Sequence, residues 1–415
     1  MIKQLDLFEN EIGSVDRSRN SHGSVVGLFA GIGGVELGLS KAGWKSSLLC
    51  EIDPHARRVL SQNFNISESE IFDDVKKLKS IPKCDILAAG FPCQDLSQAG
   101  NSVGINGSRS GLVGEIFRLL NCSSPSWVLL ENVPFMLSLD NGSAMSLITN
   151  AFEELGYTWA YRTINSRAFG VPHRRERVIF IASKKYDPRG PLLNQQLGSL
   201  PKSVNWTNKA VGFYWTEGLR GVGWAVNHVP PIKCGSTISI PSPPAVWMPN
   251  CLRSKNPRFI KPTILDAEKL QGFPKNWTEQ AKYLSSNGER KRWTLVGNAV
   301  TVNVAEWIGE RLAQPDEFNK FIENAGHDFN QNKKWPDSAW GIPKVGKFTS
   351  PISKWPINKR QRNLHLFLEK ESRCNALSTR ATQGFLNRFL KGNLSAGGAR
   401  DQLISDLEMH IKDMN

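Results

Sequence analysis

Apolar residues along this chain gather in short runs, and between the runs they recur at helical spacing. The first run, SVVGLFA at residues 24–30, is β-rich and breaks on Gly31-Ile32-Gly33-Gly34. VELGLSKAG then spaces its apolar positions for a helix that stops at Gly43. SSLLCEID predicts a second strand ending in acids, and ARRVLSQNF a second helix. Further strands are predicted at CDILAAGFPC, at SWVLLENV and at RRERVIFIAS, the last with an arginine-rich entrance. Strands alternating with helices over about 180 residues predict a doubly wound α/β domain.

The pattern changes after Ser183. Glycine, proline and tryptophan become frequent (GFYWTEGLRGVGW, IPSPPAVWMPN) and helical spacing disappears, which predicts an irregular strand-and-loop insert. Helical spacing returns in LDAEKLQGF, and RWTLVGNAV and AEWIGERLA resume the strand-and-helix alternation. The last hundred or so residues form a third region. It carries two Trp-Pro steps (335–336 and 355–356), amphipathic stretches at 363–372 and 383–391, and a helix from about Asp401. The boundaries drawn on this basis are an α/β domain over 1–183, a small inserted domain over 184–280, a return to the α/β domain over 281–313, and a basic extension over 314–415.

Composition narrows the class. The 415 residues are 40% hydrophobic and 22% charged, as in an ordinary soluble protein, and no apolar run is long enough to span a membrane. The polar N-terminal stretch lacks the apolar segment of a secretion signal, so a cytoplasmic protein is expected. Seven scattered cysteines without a CxxC pair argue against a disulfide framework and against a thiolate zinc site, and no metal is expected. The net charge of +14 is concentrated. From Lys184 to Pro262 there are eleven Lys/Arg against two acids, and from Gln314 onward sixteen against eleven, so the remainder is neutral. A neutral body with a basic insert suits a polyanionic partner; a basic surface kept for solubility is the plainer explanation.

The chemistry-bearing residues sit at strand ends. The turn Phe29-Ala30-Gly31-Ile32-Gly33-Gly34 lets a ligand approach backbone amides, and Glu51, twenty residues beyond Gly31, stands where such folds place a carboxylate for ribose hydroxyls. Asp73 or Asp74 can accept an adenine amino group, or either can cap a helix. Cys93 directly follows Pro92 where a strand meets a loop, a poor position for packing and a good one for attack; a buried cysteine beside a flexible surface loop is the plainer alternative. The glycine-rich stretch after it, with glycines at 100, 104, 107, 111 and 114, has the composition of a lid. Glu131 ends the apolar strand SWVLL, and carboxyl ends of parallel strands converge on one crevice, so it can meet Cys93, or it caps the next helix. Pro172-His173-Arg174-Arg175-Glu176-Arg177 crowds three arginines ahead of a strand, either to hold phosphate or a carbonyl oxygen or as a charged edge paired with Glu176.

In their order along the chain these motifs resemble those of the DNA cytosine-C5 methyltransferases: FAGIGG, EID, GFPCQDLS, ENV, PHRRER, LQGFP and VGNAV, running from Leu28 to about Leu312. The resemblance implies a Rossmann-like sheet that binds S-adenosyl-L-methionine, with a target-recognition domain inserted where the basic excess lies. It places Phe29 against the cofactor adenine, with Gly31 and Gly33 in the turn, Glu51 on the ribose and Asp74 near the adenine edge. Pro92 and the Asn298-Ala299-Val300 turn complete that pocket. Cys93 is implied as nucleophile, Glu131 as its carboxyl partner, and Arg175 and Arg177 as groups orienting base and backbone. Two departures stand out: His173 where many relatives have glutamine, and Thr301-Val302 where many have a proline pair.

The implied reaction explains these residue types. Carbon 5 of cytosine is too electron-poor to take a methyl group directly, so a thiolate adds at carbon 6 and a carboxyl group donates or shares a proton at N3. The base must first leave the duplex, at a cost of a few kcal/mol. Such an enzyme serves a restriction-modification system, alongside a cognate endonuclease with which no stable complex is implied, or works as an orphan or phage methylase. The nearest rival is an RNA cytosine-C5 methyltransferase on the same scaffold; the long basic Trp- and Gly-rich insert argues for double-stranded DNA. An amino-methyltransferase and a catalytically silent DNA-binding protein are weaker rivals.

Overall fold

The structure, a computed structural model, describes residues 21–92, 111–195, 205–215, 222–232, 244–253, 256–318, 327–328, 334–392 and 398–415. Among these, no helix is long and apolar enough to cross a membrane. The central sheet is built from β1 (Ser24–Leu28), β2 (Lys45–Cys50), β3 (Ile86–Ala89), β4 (Trp127–Asn132), β5 (Thr158–Asn165) and β6 (Glu176–Ser183), in spatial order 5-6-4-3-1-2. β1 pairs in parallel with both β2 and β3, and β3 with β4; β6 runs antiparallel between β4 and β5.

β3 and β4 are buried along their whole length, because helices cover both faces, and such strands read as unbroken apolar runs. α1 (Gly34–Lys41) and α7 (Val302–Ala313) contribute Leu39, Val304, Trp307 and Ile308 to one side. α3 (Leu112–Leu120) and α4 (Ser143–Glu154) contribute Ile116, Phe117, Ile148 and Phe152 to the other. α2 (Pro54–Phe64) starts at Asp53, whose side chain accepts from the amides of His55 and Ala56, with proline in the first turn where its missing N–H costs nothing. The chain leaves β1 toward β2 and then returns to the far side of β1 as β3. This reversal makes a topological switch point, and the crevice at the carboxyl ends of β1 and β3 is the natural ligand site.

The insert forms a second, antiparallel sheet in the order β10 (Phe259–Ile260), β9 (Ala245–Trp247), β7 (Val211–Trp215), β8 (Val222–Val226). The extension over 314–415 is not a separate body. Its first part adds β12 (Ser338–Ile342) antiparallel to β5, then β13 (Gly346–Thr349) and β11 (His327–Asp328), so the central sheet has nine strands among the described residues. Trp159, Tyr161 and Phe180 of that sheet stack on one another, and Trp335 packs against the first two. Its second part lays α8 (Thr379–Lys391) and α9 (Arg400–Met414) over the small sheet. Phe385, Phe389, Leu403 and Leu407 join Val211, Trp247 and Phe259 in one core. Trp247 Nε1 donates to Asp406 Oδ2 at 2.8 Å, and Arg258 pairs with Asp406 and Asp413. Part of the insert's positive surplus is thus answered by acids of the extension.

Between them, α5 (Ile264–Leu270) and α6 (Gly288–Asn298) return the chain to the catalytic body. Trp277, in the segment joining them, donates its indole N–H to the carbonyl of Ile32, in the glycine turn after β1.

Candidate active site

Three positive φ angles lie within five residues at the end of β1: Phe29 at 55°, Gly31 at 57° and Gly33 at 80°. A left-handed backbone at phenylalanine costs about 1–2 kcal/mol, strain of the kind that persists at functional sites. The glycines have separate reasons. A Cβ on Gly33 would meet the Phe64 ring, and one on Gly34 would lie 2.5 Å from the carbonyl oxygen of Val300. At Gly31 a Cβ would meet nothing within 4 Å, so the turn faces open space. The glycine turn and the predicted Asn298–Val300 turn are therefore in contact.

Glu51 is 8% exposed; its Oε2 accepts from the amide of Gly31 at 2.7 Å and its Oε1 from that of Asp53 at 2.8 Å. Burial pushes its pKa up, against the pull of those backbone donors. Each oxygen keeps a second lone pair for a ligand hydroxyl. Beside it stand two exposed apolar side chains, Ile52 (70%) and Phe72 (43%), the latter bonded through its carbonyl to the Glu51 amide. Asp74 caps the turn Val75–Lys77 by accepting from the Lys76 amide, and exposed Asp73 pairs with Lys77 at 2.9 Å.

Across the switch point β3 ends at Ala89. Phe91 is buried and Pro92 exposed; Cys93 and the glycine-rich stretch up to residue 110 lie outside the described residues. Three residues before Cys93, a Cβ on Gly90 would lie 3.5 Å from Glu131 Oε2, so the chain leaving β3 passes directly over that carboxyl group. Glu131 forms an ion pair with Arg177, Oε1 to Nε 2.9 Å, and Arg177 also donates to the Glu176 carbonyl. The antiparallel register, Glu131 opposite Ile179 and Asn132 opposite Val178, brings the arginine at the start of β6 to the end of β4.

Arg175 meets backbone rather than solvent. It is 1% exposed and donates to the carbonyls of Gly297 and Asn298, at 3.0 and 3.1 Å. These bonds fasten the turn that abuts the glycines. His173 is fully buried where its backbone bridges to Val229 of the insert; its Nε2 accepts from the amide of Ile232, and burial with two nearby arginines drives its pKa well down, keeping it neutral.

Two positioning residues carry roles that the sequence pattern did not assign. Asn132 donates from Nδ2 to the carbonyl of Phe91 at 3.0 Å and accepts from the Val133 amide, latching the strand end that carries Cys93. Gln271, buried after α5, donates to the carbonyls of Val296 and Ala299 and accepts from Thr301, tying down the 296–301 turn. Both stand inside the ENV and LQGFP motifs, which was their only signal.

The sequence model of the C-5 cytosine-specific DNA methylases matches residues 23–211. The chain is 48% identical over 399 residues to Type II methyltransferase M2.BsuMI of Bacillus subtilis (strain 168), covering 92% of this chain and 97% of that one. It is 30% identical to Type II methyltransferase M.SsoII of Shigella sonnei, over 71% of this chain and 81% of that protein. The crystal structure of the S. pombe Dnmt2 methyltransferase superposes with a TM-score of 0.50 at 17% identity, over 71% of this chain and 99% of that one, a likeness of fold. A DNA methylase model and Type II relatives do not favour the RNA alternative. The chain therefore belongs to the C-5 cytosine-specific DNA methylase family, and it is a DNA cytosine-5 methyltransferase.

Proposed function

We propose that this enzyme modifies cytosines of a specific duplex sequence as the methylating half of a restriction-modification system in the cytoplasm, with Cys93 as its nucleophile. The single observation that carries the site is the Glu131–Arg177 pair at the sheet's carboxyl rim, with the backbone of Gly90 passing over it on the way to Cys93. A carboxyl group and a guanidinium so placed serve a reaction in which negative charge moves onto the base, the first by sharing a proton with it and the second by its positive charge.

The residues around the glycine turn fit S-adenosyl-L-methionine. An open Gly31 face, a buried carboxylate with spare lone pairs and two bare apolar side chains together match a nucleoside: Glu51 for the ribose, Ile52 and Phe72 for the adenine faces, Phe29 and Asp74 at its edge. When bound, that cofactor supplies the methyl group as an electrophilic sulfonium. Gly33, Pro92, Asn298 and Val300 shape the wall between turn and crevice, and Arg175 and Gln271 hold that wall in place.

In the proposed cycle the Cys93 thiolate adds to carbon 6 of a flipped-out cytosine, which makes carbon 5 electron-rich. Glu131 delivers a proton toward N3, and Arg177 keeps its carboxyl group oriented. Once carbon 5 carries the methyl group, a base or water takes its proton, the carbon 6–sulfur bond breaks to give back the thiolate, and the N3 proton returns to Glu131. The test compares radiolabelled methyl incorporation into duplex DNA and transfer RNA by the wild type, Glu131→Gln and Arg177→Ala proteins. The expected result is incorporation into DNA alone, reduced about 10²–10⁴-fold by either substitution. Preferential labelling of RNA, or full activity of both variants, overturns the reading.

A further inference from the structure

Residues 353–364 of the extension run from the central sheet to the inserted domain along the carboxyl rim of the sheet. At the catalytic end the guanidinium of Arg162 donates to the carbonyl of Ser353, and the amide of Asn165 donates to that of Lys354. Arg167 lies over the Trp355 ring at 5.5 Å, and the amide of Lys359 donates to the carbonyl of Ala168. At the other end Gln361 Nε2 donates to the Asn227 carbonyl, the Leu364 amide to Asn227 Oδ1, and Lys209 Nζ to Asn363 Oδ1. Asn165 ends β5 and Glu176 begins antiparallel β6, so this strap lies on the same rim as Glu131 and Arg177, beyond them and away from the glycine turn.

The strap's charge is one-sided. Ser338 to Leu368 holds six Lys/Arg and no acid. Lys347 is paired with Glu153, and Lys354 with Glu176 and Asp337. Lys359, Arg360 and Arg362 are exposed and, among the described residues, no carboxylate reaches them. Exposed Arg174 stands where the central body meets the insert, its amide donating to the Val229 carbonyl. Elsewhere the extension and its contacts neutralise cations locally, as at Arg258 with Asp406 and Lys269 with Glu369. Gathering like charges on a segment held at both ends is unfavourable unless a polyanion accompanies them. Cations on a rigid backbone also lose less entropy on meeting phosphates than cations on a free tail.

We propose that Lys359, Arg360 and Arg362 form a second phosphate track for duplex DNA, flanking the segment that supplies the target base. The inference rests on the DNA-methylating function proposed above and gives the extension a share in the DNA footprint. Its test is the salt dependence of binding of the full chain to a long duplex that the wild type methylates. Lys359→Gln/Arg360→Gln/Arg362→Gln is compared with Lys45→Gln/Lys83→Gln/Lys184→Gln, which removes the same charge from exposed positions on the opposite rim. Each lost phosphate contact flattens the slope of log affinity against log salt by about 0.9, so the strap variant is expected to lose about 2.7 and the control little. If the triple variant melts early, the single Arg360→Gln protein replaces it, with an expected change of about 0.9. A strap variant with the wild-type slope and affinity overturns the track alone. A wild type that methylates no duplex overturns the function on which it rests.

Discussion

Gly31 and Gly156 offer a matched pair for testing where the cofactor binds. Both have left-handed backbones, φ 57° and 80°, and at both a Cβ would meet nothing within 4 Å. Alanine therefore introduces no clash in the free protein at either position, only the backbone cost of about 1–2 kcal/mol. The surroundings differ in one respect. Gly31 donates its amide to Glu51 at the carboxyl rim, whereas Gly156 precedes β5 on the opposite rim. If the nucleoside lies over the turn, the new methyl group of Gly31→Ala takes space that the ligand needs. A loss of about 1.4 kcal/mol is tenfold in affinity, and at least that is expected for Gly31→Ala, with none for Gly156→Ala. Urea denaturation should show similar destabilisation of the two variants, while calorimetric titration with S-adenosylhomocysteine should separate them. Equal, wild-type-like affinity in both would refute the placement of the cofactor.

Two further predictions concern buried polar groups. Glu36 in the first turn of α1 is 2% exposed against Gly27, and burial, reinforced by the charge of Glu51, raises its pKa to about 7. A carboxyl group raised in the folded state contributes stability that is full below the unfolded value near 4.5 and is lost as pH rises through about 7. Glu36→Gln should remove this fall, worth on the order of 3 kcal/mol, so urea midpoints at pH 5 and pH 8 should differ less than in the wild type; an unchanged difference refutes the assignment. Asn132→Ala leaves the Phe91 carbonyl without its donor, which costs about 1–3 kcal/mol. Methylation rate should fall more than cofactor affinity, and a normal rate in steady-state assays would show that the latch does not position the nucleophile segment.

What the sequence disclosed and what it withheld follow from the range of the interactions. β1, β3 and β4 are parallel strands buried on both faces, so each reads as an apolar run closed by a glycine or an acid, and each ends at the crevice. The glycine turn, Glu51 and Glu131 were legible for that reason. β12 and β13 were not: SAWGI and GKFT are short, and the pairing partner of the first, β5, lies far back in the chain. The insert's core was equally hidden, because half of it is supplied by α8 and α9 from the other end of the protein. Arg175 and Arg177 are two residues apart and chemically identical, and only the fold separates them, one meeting carbonyls of the 297–298 turn and the other meeting Glu131. Asn132 and Gln271 act on backbone carbonyls distant in sequence, a pairing no local pattern records.

The central claim concerns the sulfur of Cys93. A duplex carrying 5-fluorocytosine within its methylation site cannot lose the group at carbon 5, so the thiol stays joined to carbon 6 after methyl transfer. Mass spectrometry of the denatured, proteolysed complex should find the modified nucleotide on the peptide containing Cys93, and no adduct in Cys93→Ser. A wild type that methylates DNA without such an adduct, or an adduct on another residue, would contradict the account.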